Sequence, residues 1–181
     1  RVSSFKRPTA EELDHDFLWR VHPHCPRRGM ISIFNRSHYE DVIATKVLGN
    51  ISTDVCNDRY EQINQFEHAL NQHGTTILKF YLHISKDEQK RRFQERLDNL
   101  QKHWKFSSSD LETRKLWSHY MDAYDDAFKN CHGDIAPWYI IPADDKSYRN
   151  LVICRVIVHA LRQMAPKFPT PQDDLGHITI E

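Results

Sequence analysis

Three runs along the chain are mostly apolar, and each gives way to polar residues at its C-terminal end. They are Met30-Ile31-Ser32-Ile33-Phe34, the longer run from Thr75 to Ile84, and Trp138-Tyr139-Ile140-Ile141. None alternates cleanly, the pattern of parallel strands buried on both faces. Elsewhere apolar residues recur at helical spacing. Tyr60, Ile63, Phe66 and Leu70 fall on one side of a helix from Asp54 to Gln72, with Gly74 at its C-terminal cap. Trp117, Tyr120, Met121, Tyr124 and Phe128 do the same for a helix opening near Ser109, and a last helix runs from about Lys146 to Met164.

Helix starts are marked by capping boxes. Thr9-Ala10-Glu11-Glu12 predicts a helix running toward Val21, Ser85-Lys86-Asp87-Glu88 opens one through Phe93 and Leu97, and Ser109-Asp110-Leu111-Glu112 opens the third. From Pro166 onward the periodicity is lost, which predicts an extended arm. Strands separated by helices imply right-handed crossovers and an α/β fold, with one parallel sheet covered on both faces. Ligands in such sheets bind at the carboxyl ends of the strands. That places Asn35-Arg36-Ser37-His38, Ser85-Lys86 and Ala143-Asp144-Asp145-Lys146 together on one edge.

Composition narrows the chemistry. The 181 residues carry 25 Lys+Arg against 25 Asp+Glu, so no overall field draws in nucleic acid or an anionic membrane. No apolar run is long enough to span a bilayer, and Arg1 to Lys6 does not open a signal peptide. The five glycines are scattered, which excludes the clustered-glycine phosphate loops from this chain. Cys25, Cys56, Cys131 and Cys154 form no C-x-x-C pair and read as small packed thiols of a cytoplasmic protein.

Four clusters are candidates. Asn35 ends an apolar strand in the manner of a Walker B element, and Arg36 offers a planar fork suited to phosphate oxygens; the plain alternative is a Ser37 helix cap beside a surface arginine. Lys86 to Lys105 holds seven basic residues against four acidic, a local surplus of three. It reads either as a basic lid over phosphates or as a solvated helix face. Asp144-Asp145 suits a metal, a hydroxyl or, more simply, a helix N-cap. His22-Pro23-His24-Cys25 lacks a fourth metal ligand, and the helical spacing of Trp117, Tyr120, Tyr124 and Phe128 favours core packing over base stacking.

Taken in order, these segments resemble the polyphosphate kinase 2 family. The match is carried by Ile33-Phe34-Asn35-Arg36-Ser37-His38-Tyr39-Glu40-Asp41, Thr76-Ile77-Leu78-Lys79-Phe80 with His83-Ile84-Ser85-Lys86, Glu95-Arg96-Leu97-Asp98, Lys102-His103-Trp104-Lys105, and Ala136-Pro137-Trp138-Tyr139 with Pro142-Ala143-Asp144. The first of these is most similar to the class III members. The resemblance implies a thymidylate-kinase-like P-loop fold, a three-layer arrangement of a five-stranded parallel sheet and a helical lid. It also implies Mg²⁺-dependent in-line phosphoryl transfer from inorganic polyphosphate to AMP and ADP.

By resemblance Arg36 and Arg96 are the catalytic arginines, and Asn35, Glu40 and Lys105 meet nucleotide or polyphosphate, with Asn35 reaching Mg²⁺ through water. The kinase-like domain is expected over residues 1–165, with its lid at about 86–108 and the arm at 166–181. Expected partners are polyphosphate, adenine or guanine nucleotides, and further copies of the chain in a homodimer or homotetramer. Upstream of Phe5-Lys6-Arg7-Pro8-Thr9, which resembles the end of the family's second strand, the expectation is that the first strand and the Walker A loop are missing. A shortened, non-catalytic homologue acting as a nucleotide- or polyphosphate-binding module is the alternative expectation.

Overall fold

The computed structural model describes residues 1–170. Its elements run β1 (Val2–Ser4), α1 (Ala10–Leu13), β2 (Ile33–Asn35), α2 (Glu40–Val47), α3 (Thr53–Gln72), β3 (Lys79–His83), α4 (Lys86–Asp98), α5 (Ser108–Lys115), α6 (Trp117–Asn130), β4 (Trp138–Pro142) and α7 (Lys146–Met164). Short 3-10 turns at His22–His24 and Leu100–Lys105 fill two of the connections. No helix among the described residues is long and apolar enough to cross a membrane.

The four strands are parallel, as their helical crossovers require, but they form two separate pairs rather than one sheet. Val2 to Ser4 pairs with Ile33 to Asn35, and Lys79 to His83 pairs with Trp138 to Pro142. Burial on both faces therefore does not hold: Ile33 is 58% exposed, Ile140 57% and Leu82 44%. Each strand has a single neighbour among the described residues, and side chains on the faces of such narrow pairs are only partly covered.

Other differences have local causes. The helix from Thr9 stops at Leu13, although its capping box forms in full, because the Asp16 carboxylate takes the Leu18 and Trp19 amides and turns the chain. The run from Thr75 becomes strand only at Lys79, where β4 begins to supply a partner. The helix expected from Ser109 is two, broken at Leu116, whose amide bonds back three residues to Thr113 and tightens the turn. Its apolar side belongs to α6 alone. The Ser85 cap forms, but Glu88 does not return the bond; it goes to arginines, and Asp144 takes the Ser85 amide instead. Gly74 ends α3 with φ +86°, as expected of a C-terminal cap. Asp145 caps α7 through the Ser147 and Tyr148 amides, which favours the plain reading of that acidic pair. Residues 165–170 carry no regular structure, and the rest of the expected arm lies outside the described residues.

The main core lies where α2, α3 and α6 meet. Val42, Ile43, Cys56, Ile63, Ala123 and Ala127 are buried there, with Tyr39 and Tyr60 beside them. A smaller cluster of Phe5, Val21 and Phe66 seats β1 and β2 on α3. Because Ile63 is wholly buried, Ile63→Ala is expected to destabilise the fold by about 2–5 kcal/mol. Leu100→Ala, at a site 81% exposed, is expected to change it by less than about 0.5 kcal/mol. Urea unfolding of the two variants measures both.

Candidate active site

The sequence places Asn35, Arg36 and Glu40 on the turn between β2 and α2, and the structure brings them together. Asn35 is the last residue of β2, opposite Ser4 of β1, and its carbonyl accepts the Phe5 amide at 3.0 Å. Arg36 follows in the left-handed region at φ +59°, which costs a side-chain-bearing residue about 1–2 kcal/mol. That backbone aims its guanidinium outward, 61% exposed and 3.9 Å from the Glu40 carboxylate at the first turn of α2. Ser37 accepts the Tyr39 amide at 3.3 Å, the bond expected of a local cap.

Glu40 is the more enclosed of the pair. Burial lifts its carboxyl above the ordinary glutamate range, Arg36 pulls it back, Asp41 pushes it up again and Arg20 opposes. Tyr120 and Tyr124 of α6 stand beside it; burial raises both phenols, with the Glu40 charge adding and Arg36 opposing. The Tyr124 ring also packs 4.3 Å from Tyr81 on β3, so one aromatic joins the β2–α2 turn to the second strand pair. Asp41 fixes the start of α2: its carboxylate accepts from Arg20 at 3.1 Å, and its carbonyl accepts from Arg59 at 2.7 Å.

Beneath the turn lies a buried polar hub that the sequence reading did not single out. Lys79, the first residue of β3, is almost fully enclosed. Its ammonium donates to Glu67 Oε2 at 2.8 Å, to the Tyr39 hydroxyl at 2.8 Å and to the Cys131 carbonyl at 2.7 Å. Three donors thus meet three acceptors. The Tyr39 hydroxyl in turn donates to Glu67 Oε1 at 3.0 Å, and His38 Nε2 lies 3.4 Å from the same oxygen. Because the Glu67 carboxylate can only accept, Nε2 is the donating nitrogen of that contact, and His38 Nδ1 has no partner among the described residues. Burial pulls the Lys79 ammonium below the ordinary lysine range while Glu67 holds it up, and burial pushes the Cys131 thiol up to about 11. Two signals were available. Lys79 interrupts an apolar run, and Glu67 sits four residues after Ile63 on the apolar side of α3.

Arg96 and Lys105 form a second group. Arg96 Nη1 lies 3.4 Å from the Lys105 carbonyl and 3.7 Å from Asp110, and its guanidinium stands over the Phe93 ring. Lys105 lies over Trp104, itself 79% exposed. Among the described residues no hydrogen bond or ion pair joins this group to Arg36. Much of the segment's positive charge is already partnered. Arg91 and Arg92 together hold the Glu88 carboxyl down to about 2, and Lys102 is bonded to Glu95. Arg92 also donates to the carbonyls of Ala143 and Asp144, which docks α4 on the end of β4.

An exposed arginine fork at a parallel strand's carboxyl end, with a basic helical segment after the next strand, suits phosphate. Comparison with known proteins settles the family. The family model described as polyphosphate kinase 2 matches residues 1–169. The chain belongs to the polyphosphate kinase 2 family. It is 49% identical over its whole length to an AMP/ADP-polyphosphate phosphotransferase of Meiothermus ruber, covering 68% of that protein. An ADP-polyphosphate phosphotransferase of Rhodopseudomonas palustris is 41% identical, with 93% of this chain and 63% of that protein covered. The crystal structure of polyphosphate kinase 2 from Arthrobacter aurescens superposes with a TM-score of 0.94 at 44% identity, covering 96% of this chain and 62% of that one. The chain therefore has the α/β, P-loop-kinase-like fold of this family, and it spans roughly two thirds of the length of these relatives.

The desolvated Glu40 carboxylate makes a prediction with a definite sign. Its folded pKa is raised above 4.5, so ionisation opposes folding; the stability contribution is complete at lower pH and lost as pH rises through the folded value. Glu40→Gln is expected to raise the melting temperature at pH 7, and the gain is expected to vanish near pH 4. Thermal unfolding at both pH values measures it.

Proposed function

We propose that the protein carrying this sequence phosphorylates AMP and ADP with inorganic polyphosphate. The observation that carries this reading is the 49% identity, over the whole of this chain, to the Meiothermus ruber AMP/ADP-polyphosphate phosphotransferase. The site's chemistry supports it, and no comparison favours a binding-only module. In the reaction a terminal phosphate oxygen of the nucleotide attacks the end phosphorus of polyphosphate. A new P–O bond forms as the anhydride bond breaks, and the shortened chain leaves with the electron pair.

Little covalent work falls to the protein in such a transfer; positioning and charge stabilisation are its contribution. Arg36 is suited to bidentate contact with a phosphate at the end of β2, and Glu40 to orienting that guanidinium. Arg96, with Lys105, is the candidate to reach the transferring phosphoryl when segment 86–108 closes as a lid; its present partners, a carbonyl at 3.4 Å and Asp110 at 3.7 Å, are long enough to exchange. Mg²⁺ is part of the proposal. Asn35, at the carboxyl end of β2, would be the residue to meet the ion through a water, and the ion would offset charge on the transferring phosphates. Guanine nucleotides as further substrates, a homodimer or homotetramer, and a cytoplasmic location belong to the same proposal.

The test is an assay of the natural protein with AMP or ADP, polyphosphate and Mg²⁺. Arg96→Ala is expected to lower kcat by about 10³-fold, the scale of a lost transition-state arginine. Arg36→Ala is expected to remove most activity as well. Full activity in Arg96→Ala overturns the lid assignment.

A further inference from the structure

The turn that presents Arg36 is held at both ends. Upstream, Asn35 is fixed by its pairing in β2 and by the Phe5 amide on its carbonyl. Downstream, two successive residues of the same turn, His38 and Tyr39, both reach Glu67 Oε1, and Lys79 grips Glu67 and Tyr39 together. Only Arg36 and Ser37 lie between these anchors, and the left-handed φ falls on Arg36. A backbone in a sparsely populated region persists where its surroundings over-determine it.

We propose that Lys79 and Glu67 are positioning residues that, through Tyr39 and His38, hold the Asn35–Glu40 turn so that Arg36 faces the phosphates. This rests on the phosphotransferase reading above. Lys79 and Glu67 are closed off beneath the turn, at 7% and 3% exposure, and every polar contact recorded for them is internal. Bulk stability is a poor account of such a group, because well-packed apolar residues often stabilise a core at least as well as a buried ion pair. Directional bonds supply what apolar packing does not: they fix the side chains at 38 and 39, and with them the rotation of the turn. The Lys79 bond to the Cys131 carbonyl extends the same reference frame to the end of α6, whose Tyr120 and Tyr124 stand beside Glu40.

The experiment uses Tyr39→Phe in the natural protein, because that change removes the turn's hydroxyl while leaving the Lys79–Glu67 pair. The expected result is a kcat lowered by about ten- to a hundredfold, with KM for the nucleotide little changed, as for a catalytic group slightly misplaced. In an Arg36→Ala background the same change is expected to cost almost nothing further, because the hub acts through Arg36. Glu67→Gln is the second variant and is expected to show the same coupling wherever it folds. Equal fold-losses with and without Arg36, tracking the melting temperature, overturn the proposal. A crystal structure of Tyr39→Phe gives a readout independent of turnover: φ of Arg36 leaving the left-handed region supports the proposal, and an unchanged turn overturns it. Absence of phosphoryl transfer in the parent protein overturns the proposed reaction, and the crystal structure still decides the claim about the turn.

Discussion

A lysine enclosed among aromatic rings has to find an acceptor for each of its three protons, and much of this molecule is arranged to supply them. The Lys79 ammonium lies 5.1 Å from the Tyr39 ring centre and 5.2 Å from that of Trp138, with Glu67, the Tyr39 hydroxyl and the Cys131 carbonyl around it. Those groups come from α3, from the turn entering α2 and from the end of α6. The charge therefore indexes three helices to β3 at once. Removing one member of such a buried group strands the others without water, at a typical cost of about 3–5 kcal/mol. Apolar contacts among Val42, Ile63, Ala123 and Ala127 supply cohesion around it, but they are non-directional and do not set rotation.

The proposed phosphate-facing groups divide into two electrostatic kinds. Around Arg36 there is one exposed cation, a half-desolvated Glu40 and two tyrosines, held by the buried hub. Segment 86–108 is the opposite: abundant charge, little burial and dense local pairing. Arg91, Arg92, Lys102 and Arg96 all have carboxylates nearby, whereas Lys86 and Lys90 have no ion pair among the described residues. Exposed pairs of this sort are worth little individually and exchange readily. A polyanion arriving there would compete with Glu88, Glu95 and Asp110 for the same cations, and its binding would then be coupled to rearrangement of the segment.

Much of this was readable from the residues. Helix caps at Thr9, Ser85, Asp145 and Gly74 were legible because each depends on a side chain or a glycine within a few positions of the helix end. The place of Asn35, Arg36 and Glu40 on the turn between β2 and α2 was legible because they end or closely follow an apolar strand. Arg96 and Lys105 were equally visible as types, but their separation from Arg36 is a tertiary fact with no sequence signal. Sheet continuity failed for a related reason: an apolar run at Ile33 or Ile140 states what a strand can bury, whereas its neighbours decide what is covered. The hub was the main omission. Its members lie at positions 38, 39, 67, 79 and 131, and only the interruption of an apolar run by Lys79 and the place of Glu67 on α3 hinted at it.

Every role proposed for Arg36, Arg96 and the buried hub depends on phosphoryl transfer from polyphosphate to AMP and ADP at the end of β2. A ³¹P NMR time course of the natural protein with AMP, polyphosphate and Mg²⁺ tests it most directly, because donor and products are resolved in one spectrum. The expected result is loss of internal polyphosphate signal as the β-phosphate of ADP, and then the phosphates of ATP, appear. Unchanged polyphosphate and AMP in the presence of the folded protein would contradict it.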